Sequence, residues 1–222
     1  MPNAPLFSII TPSRGDRPRA LAQAIDSVAR AAAHAGLTDN DLEMLVGFDG
    51  VKGERVGSVG FVRWFDLPKS GNFGNGLRNL LLRVARGRRV LLVDDDNALT
   101  ETALATYQAH PEPEMLIGRV DCRLAFDREY LPEGNSPEAA VRQCNIDPLC
   151  LCLSRELVAD RCGGWRSEGG YESDFLNIRR YHRRARSVLL LDALVGVYDA
   201  GRGLDEAGLN DRQRGLPAGD GF

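Results

Sequence analysis

Four apolar residues, Val90-Leu91-Leu92-Val93, run straight into three consecutive carboxylates, Asp94-Asp95-Asp96, and then Asn97. A short β-branched and leucine run with no polar alternation predicts a strand buried on both faces, as in a parallel sheet. An unpaired carboxylate is too costly to continue such a run inside a core, so the strand ends at Asp94 with the acids at its carboxyl edge. In open α/β sheets that edge is where ligands bind. Three acids held there repel one another unless a cation or hydrogen-bond donors sit among them. Oxygen-only ligation suits Mg²⁺ or Mn²⁺, and such ions commonly take one or two carboxylates plus substrate phosphates. The plainer alternative is an acidic turn, because Asp and Asn favour turns and helix N-caps.

The chain is 222 residues long, enough for one sizeable domain with its own core. A net charge of −3 argues against a nucleic-acid binder driven by phosphate contacts. No apolar run approaches the ~20 residues that span a bilayer. Met1-Pro2-Asn3-Ala4-Pro5 lacks the regions of a signal peptide, so a cytoplasmic location is the expectation. The cysteines, Cys122, Cys144, Cys150, Cys152 and Cys162, are odd in number and are expected to be buried free thiols. Cys150 and Cys152 lack the spacing of paired zinc ligands.

Further acids fall at the ends of other predicted elements. Leu6 to Pro12 reads as a first, central strand, followed by the loop Ser13-Arg14-Gly15-Asp16-Arg17-Pro18. Either Asp16 as cap or Pro18 in the first turn starts a helix that runs to about Ala35. Leu42 to Phe48 is a second strand ending in Asp49-Gly50, and Phe61 to Phe65 a third. A Gly- and Asn-rich loop, Lys69 to Gly76, enters a helix with Phe73, Leu77, Leu80, Leu81 and Val84 as its apolar face. Beyond Asn97 the pattern predicts a helix over 100–110 capped by Thr100, a strand over 115–120, an irregular stretch over 121–147, and a strand over 149–154. Gly163-Gly164-Trp165 then leads through Tyr171-Glu172-Ser173-Asp174 into a helix with Phe175, Ile178 and His182 on one face. Val188 to Leu191 is the last strand, and 201–222 a polar, Gly-rich tail. Neither G-x-G-x-x-G nor G-x-x-x-x-G-K-[ST] occurs in the required context, so no dinucleotide fingerprint or P-loop is read.

Four of these features, in this order, resemble the family 2 glycosyltransferases, inverting enzymes of the GT-A fold. They are the first strand with Thr11-Pro12 and a following Arg, the strand ending at Asp49-Gly50, the helix carrying Arg78-Asn79 into Asp94-Asp95-Asp96, and Gly163-Gly164-Trp165 before Glu172-Ser173-Asp174. The resemblance covers roughly residues 6 to 184. It implies an α/β fold, a single GT-A-like domain over 1–200 with a mostly parallel central sheet flanked by helices. It also implies a nucleotide-diphosphate sugar donor, a glycan or glycolipid acceptor, and a divalent cation, Mn²⁺ or Mg²⁺. Carried over, Thr11, Pro12 and Arg14 line the nucleotide pocket, Asp49 accepts a hydrogen bond from the base, and Arg78 lies near the nucleotide. Asp94 and Asp96 match the D-x-D acids, with Asp96 nearer the metal and Asp95 between them on the donor. Gly163, Gly164 and Trp165 border the acceptor and donor sugar. Glu172 falls on the position of the catalytic base and Asp174 on the second acid, and the choice between them stays open. Many GT-A enzymes supply a late histidine to the metal; His34, His110 and His182 are not placed for that, which leaves Asp199 as a substitute.

Two other readings stand beside this one. A sugar-phosphate nucleotidyltransferase would carry a Gly-rich, basic loop after the first strand, and the 13–18 loop fits that poorly. A non-catalytic relative, binding a sugar or a protein partner, has the altered base segment as its support. The run Arg179 to Arg186 reads as a solvated helix end, with peripheral contact to anionic lipid as the alternative.

Overall fold

The computed structural model describes residues 4–168, 170–209 and 214–215. In chain order the elements are β1 (Phe7–Ser13), α1 (Pro18–His34), β2 (Leu42–Asp49), β3 (Val62–Leu67), α2 (Asn75–Val84), β4 (Arg89–Leu92), β5 (Ala98–Leu99) and α3 (Ala103–Gln108). They continue with β6 (Met115–Asp121), β7 (Tyr130–Leu131), α4 (Pro137–Ala140), β8 (Leu151–Ser154), α5 (Ser173–Arg184) and β9 (Val188–Val197). The strands form one sheet in the order β3-β2-β1-β4-β8-β6-β9-β5, with β7 paired to β6. β1, β2, β3, β4, β6 and β9 run one way, and β5, β7 and β8 the other.

β1 is buried along its whole length because it has parallel partners on both edges, β2 and β4. The chain adds β2 and β3 on one side of β1, then crosses to the other side for β4. Connections therefore diverge between β1 and β4, and the carboxyl ends of these strands open a crevice. β4 leaves the sheet at Leu92, opposite Ile10, and Val93 N–H makes a last bond of 3.1 Å to the Ile10 carbonyl. The chain then turns, with Asn97 N–H bonded to the Asp94 carbonyl. Strand pairing stops where the carboxylates begin, as the sequence implied.

The apolar runs of β1, β2, β4, β6 and β8 form the core with one face of α1, through Leu21, Ile25, Val28 and Ala31. Trp165 and Tyr181 close it at the other end, their rings 6.2 Å apart. One buried acid lies within the sheet. Glu43 accepts from the Ser8 hydroxyl, the Arg86 N–H and the Arg63 guanidinium, and these bonds hold it below the usual carboxylate range although burial opposes them.

Several elements differ from the sequence reading. In α2 the buried side is Leu77, Arg78, Leu81 and Leu82, while Leu80 and Val84 are exposed and Phe73 precedes the helix. A buried arginine broke the apolar pattern and shifted the inferred face. α5 buries Ser173, Asn177, Ile178 and Tyr181 rather than Phe175 and His182. α3 begins at Ala103, because Ala98–Leu99 instead pairs with β9 and the Thr100 hydroxyl donates to the Leu194 carbonyl. β9 runs on to Val197, past the exposed Asp192, through an irregularity in its pairing with β6. Cys144 is exposed, whereas the other four cysteines are buried free thiols.

Asp16 does not cap α1. Arg17 occupies the cap position without a side-chain bond, Pro18 starts the helix, and Asp16 pairs with Arg14. The capping carboxylate comes from the chain's other end. Asp205 accepts from the N–H groups of Arg19 at 3.2 Å and Ala20 at 2.8 Å. Within the predicted tail, residues 201–209 thus lie against the start of α1; residues 210–213 and 216–222 lie outside the described residues. Asp205→Ala is expected to lower stability by about 1 kcal/mol, the usual worth of an N-cap, in chemical denaturation.

Candidate active site

The crevice between β1 and β4 opens into a cavity of about 830 Å³. Three strand ends supply lining residues: Pro12, Ser13 and Arg14 at the end of β1, Asp49 at the end of β2, and Asp94 to Asn97 after β4. Gln143, Cys144, Ile146 and Asp147 line the cavity as well, with Glu172, Asp174 and Phe175. Phe73, held at φ 49°, stands 67% exposed at the rim.

Asp49 accepts from the backbone N–H groups of Ser70 and Gly71, so the β2 end fastens the loop that precedes α2. Gly50 follows in the left-handed region at φ 73°, and a Cβ there would stand 2.9 Å from the Lys69 Cα. Only glycine allows the loop to come so close.

Two arginines serve the three acids after β4. Asp94 takes both oxygens to Arg78 Nη2, at 2.7 and 2.8 Å. Arg78 is 3% exposed, lies over the Trp165 ring at 5.3 Å, donates to the Phe73 carbonyl at 2.9 Å, and approaches Asp174 at 3.7 Å. Burial works against its charge, but Asp94 and Asp174 prevail and hold it protonated. Asp95 is 1% exposed, accepts from the Ser13 hydroxyl at 2.6 Å, and forms an ion pair with Arg17 Nη2 at 2.6 Å. Burial pushes Asp95 up to about 7, with Arg17 and Ser13 pulling down and Asp96 and Asp94 pushing further. Asp96 pairs with Arg17 Nη1. Burial raises Asp96 too, and Asp94 and Asp199 add to the rise against the pull of Arg17. Asp199 is buried, its N–H bonded to Asn97 Oδ1, while Gly201 N–H bonds the Asp96 carbonyl. The chain beyond β9 therefore returns to the acids.

Asp174, on the other side of the Arg78 guanidinium from Asp94, is 41% exposed, and desolvation raises it, with Arg78 lowering and Asp94 raising it. Glu172 accepts from Gln143 Nε2 at 2.9 Å and is exposed. Asp147 joins them. Its carboxylate accepts from Leu149 N–H at 2.8 Å, and burial pushes it up to about 8, with Asp174 and Asp94 adding to the rise. Proton uptake on folding makes its contribution fully present below the unfolded value near ~4 and lost as pH rises through about 8. Asp147→Asn removes that loss. The variant is expected to gain about 1 kcal/mol or more over wild type at pH 8 and nothing at pH 4, measured by urea denaturation at both pH values.

The structure thus brings Pro12, Arg14, Asp49, Arg78, Asp94, Asp95, Asp96, Glu172 and Asp174 to one cavity. Thr11, Gly164 and Trp165 do not line it. Thr11 is fully buried inside the central strand, and Trp165 is 1% exposed. Trp165 Nε1 donates to Asn75 Oδ1 at 2.7 Å, and the indole backs Arg78. Gly164 offers its carbonyl to Arg180 and to the Tyr181 hydroxyl. Arg184 bonds the Arg161 carbonyl, so part of the 179–186 basic run is spent within the fold. The sequence reading passed over Arg17 and Asp147. An Asp before Pro148 is the local mark of a capped turn, but nothing local places it in the cavity.

Among the described residues, no group of three or more His, Cys, Asp or Glu side chains is disposed to hold a metal ion. Asp94 and Asp96 are two of the carboxylates lining the cavity, engaged by Arg78 and Arg17, and are hard oxygens in the number that Mg²⁺ or Mn²⁺ takes when phosphates complete the shell. This set fits a cation shared with a diphosphate, not an all-protein cage. No helix among the described residues is long and apolar enough to cross a membrane.

Solved structures share this arrangement of strands and helices. S. aureus TarS, residues 1–349, superposes with a TM-score of 0.69 at 17% identity, over 88% of this chain and 61% of that one. Its complex with UDP-GlcNAc gives 0.71 at 17% identity, over 86% and 58%. The mannosyltransferase PcManGT from Pyrobaculum calidifontis, in complex with GDP-Man and Mn²⁺, gives 0.57 at 16% identity, over 89% and 58%. The fold is that of the GT-A glycosyltransferases. The chain spans about three fifths of the length of these structures. No protein-family model and no curated protein sequence matches it.

Proposed function

We propose that this GT-A domain is a nucleotide-sugar-dependent glycosyltransferase. It moves a sugar, with inversion, from a nucleotide-diphosphate donor to a hydroxyl of a glycan or glycolipid acceptor, and it uses Mn²⁺ or Mg²⁺. The observation that carries the reading is the convergence of acids from two distant segments on one cavity. Asp94 and Asp96 follow β4, Asp174 lies in the first turn of α5, and Arg78 bridges Asp94 and Asp174. Displacement at an anomeric carbon needs both a group that neutralises the leaving diphosphate and a base for the acceptor hydroxyl. The fold is shared with TarS, solved with UDP-GlcNAc, and with a mannosyltransferase solved with GDP-Man and Mn²⁺.

In this reading Pro12, Arg14 and Asp49 receive the nucleoside, with Asp49 keeping a lone pair for the base beside the loop it fastens. Asp94 and Asp96 hold the divalent cation, which when bound neutralises charge on the leaving diphosphate. Arg78 orients Asp94 and Asp174 from between them. Asp174 takes the proton of the acceptor hydroxyl as that oxygen bonds to the anomeric carbon and the bond to the diphosphate breaks. Asp174 is preferred to Glu172 because it faces Arg78 and its desolvation raises its basicity, whereas Glu172 is exposed and bound to Gln143. A base raised in this way works closer to neutral pH.

The direct test offers the full chain a panel of UDP-, GDP-, dTDP- and CDP-sugars with Mn²⁺ and follows release of the nucleoside diphosphate, with and without oligosaccharide or polyprenyl-type acceptors. Release from one donor, lost on adding a chelator, is the expected result. No release or transfer from any donor, in a protein that still binds Mn²⁺, would favour the non-catalytic reading.

A further inference from the structure

Arg17 closes the acidic cluster from inside. It is the last residue before α1, its side chain is 12% exposed, and its two terminal nitrogens go to different acids, Asp95 and Asp96. Its Nε–H is buried without a hydrogen-bond partner. Arg14 and Arg78 also line the cavity, but Arg14 pairs with Asp16, and Arg78, whose Nε–H is likewise buried without a partner, is fixed by both Asp94 oxygens, the Phe73 carbonyl and the Trp165 face. Arg17 is held by the two carboxylates Asp95 and Asp96. A divalent cation on Asp96 would share that carboxylate with a guanidinium, and like charges at such range repel strongly.

We propose that Arg17 is the internal counter-ion of the cation site. The cation binds weakly alone and tightly together with a nucleoside diphosphate, whose anionic oxygens receive Arg17 as it leaves Asp96. The proposal rests on the cation-dependent glycosyltransferase reading and deepens it. Asp95, bonded also to Ser13, keeps the arm anchored near the site while its other nitrogens turn to phosphate. Cation and diphosphate then bind with positive coupling, each tightening the other by the same factor.

The test is a Mn²⁺ titration of the full chain, with free Mn²⁺ read by electron paramagnetic resonance, in buffer alone and with saturating UDP or GDP. Wild type and Arg17→Lys are expected to take up Mn²⁺ weakly in buffer. Arg17→Gln is expected to bind it about tenfold or more tightly there, and to gain less from the nucleotide. Removing Arg17 alone strands the buried Asp95, which can prevent folding. The double change Arg17→Gln with Asp95→Asn removes the more deeply buried of the two stranded carboxylates, leaves Asp96 for the cation, and carries the same expectation. Equal Mn²⁺ affinity in buffer for wild type and both Gln variants overturns the proposal while leaving the cation reading intact. No Mn²⁺ uptake by any of the proteins, with or without nucleotide, overturns the cation reading and the proposal together.

Discussion

Asp174→Asn is expected to lower turnover by about 10²–10⁴-fold, the usual contribution of a positioned general base, while nucleotide diphosphate affinity stays within about twofold. The substitution keeps the volume and one carbonyl oxygen and removes only the capacity to take a proton. Arg78 retains Asp94 at 2.7 and 2.8 Å, so the donor side is undisturbed. Glu172→Gln is the matched control. Its side chain accepts from Gln143 at the exposed end of the cavity wall, and its loss is expected to cost less than about tenfold. Single-turnover kinetics with pre-bound donor separate the two, because they remove affinity from the comparison. In wild type the rate should fall as pH drops through the raised value of Asp174, since the base must be unprotonated to act. Normal turnover in Asp174→Asn alongside a collapse in Glu172→Gln would transfer the role to Glu172.

The second large effect is on stability. Trp165→Ala is expected to cost about 3–5 kcal/mol, the range for deleting a large buried aromatic side chain. The indole is 1% exposed, packs against Tyr181 at 6.2 Å, and donates to Asn75 at 2.7 Å. Its removal leaves a cavity and strands the Asn75 oxygen. For a domain of this length each kcal/mol moves the melting temperature by about 2–4 °C, so a fall of roughly 10 °C is expected. Trp165→Phe keeps most of the volume and should recover more than half of it. Because the indole also backs Arg78, both variants should weaken nucleotide diphosphate binding more than a core substitution of equal cost on the far side of the sheet. A Trp165→Ala protein that melts within about 2 °C of wild type would contradict the packing described.

What could be read in the sequence was whatever a local pattern fixes. β1, β2 and β4 are unbroken apolar runs, and a run that ends in Asp49 or in Asp94-Asp95-Asp96 announces both a buried strand and the edge where it stops. Their order, strand then helix then strand, implied parallel pairing and so a common edge for the acids. The face of α2 was misread because Arg78 is buried where periodicity expects an apolar residue, and only its partners in distant segments, Asp94 and Trp165, make that burial affordable. The roles of Arg17, Asp147 and Asp205 depend on contacts across long loops, such as the 185 residues between Ala20 and Asp205. No propensity or spacing reports contacts of that kind. Trp165 was placed beside the sugar by the family resemblance; in the fold its indole turns inward onto Asn75 and Tyr181, contacts that no local pattern reports.

The central claim is that the acids after β4 hold a divalent cation shared with a nucleoside diphosphate. Isothermal titration of UDP, GDP, dTDP and CDP into the full chain, each with and without Mn²⁺, tests it most directly, with Asp96→Ala as the companion protein. The account predicts that one nucleotide binds, that Mn²⁺ strengthens it by at least about tenfold, and that Asp96→Ala abolishes the metal-dependent part. Nucleotide binding of equal strength in Asp96→Ala, or indifferent to Mn²⁺ in wild type, would contradict it.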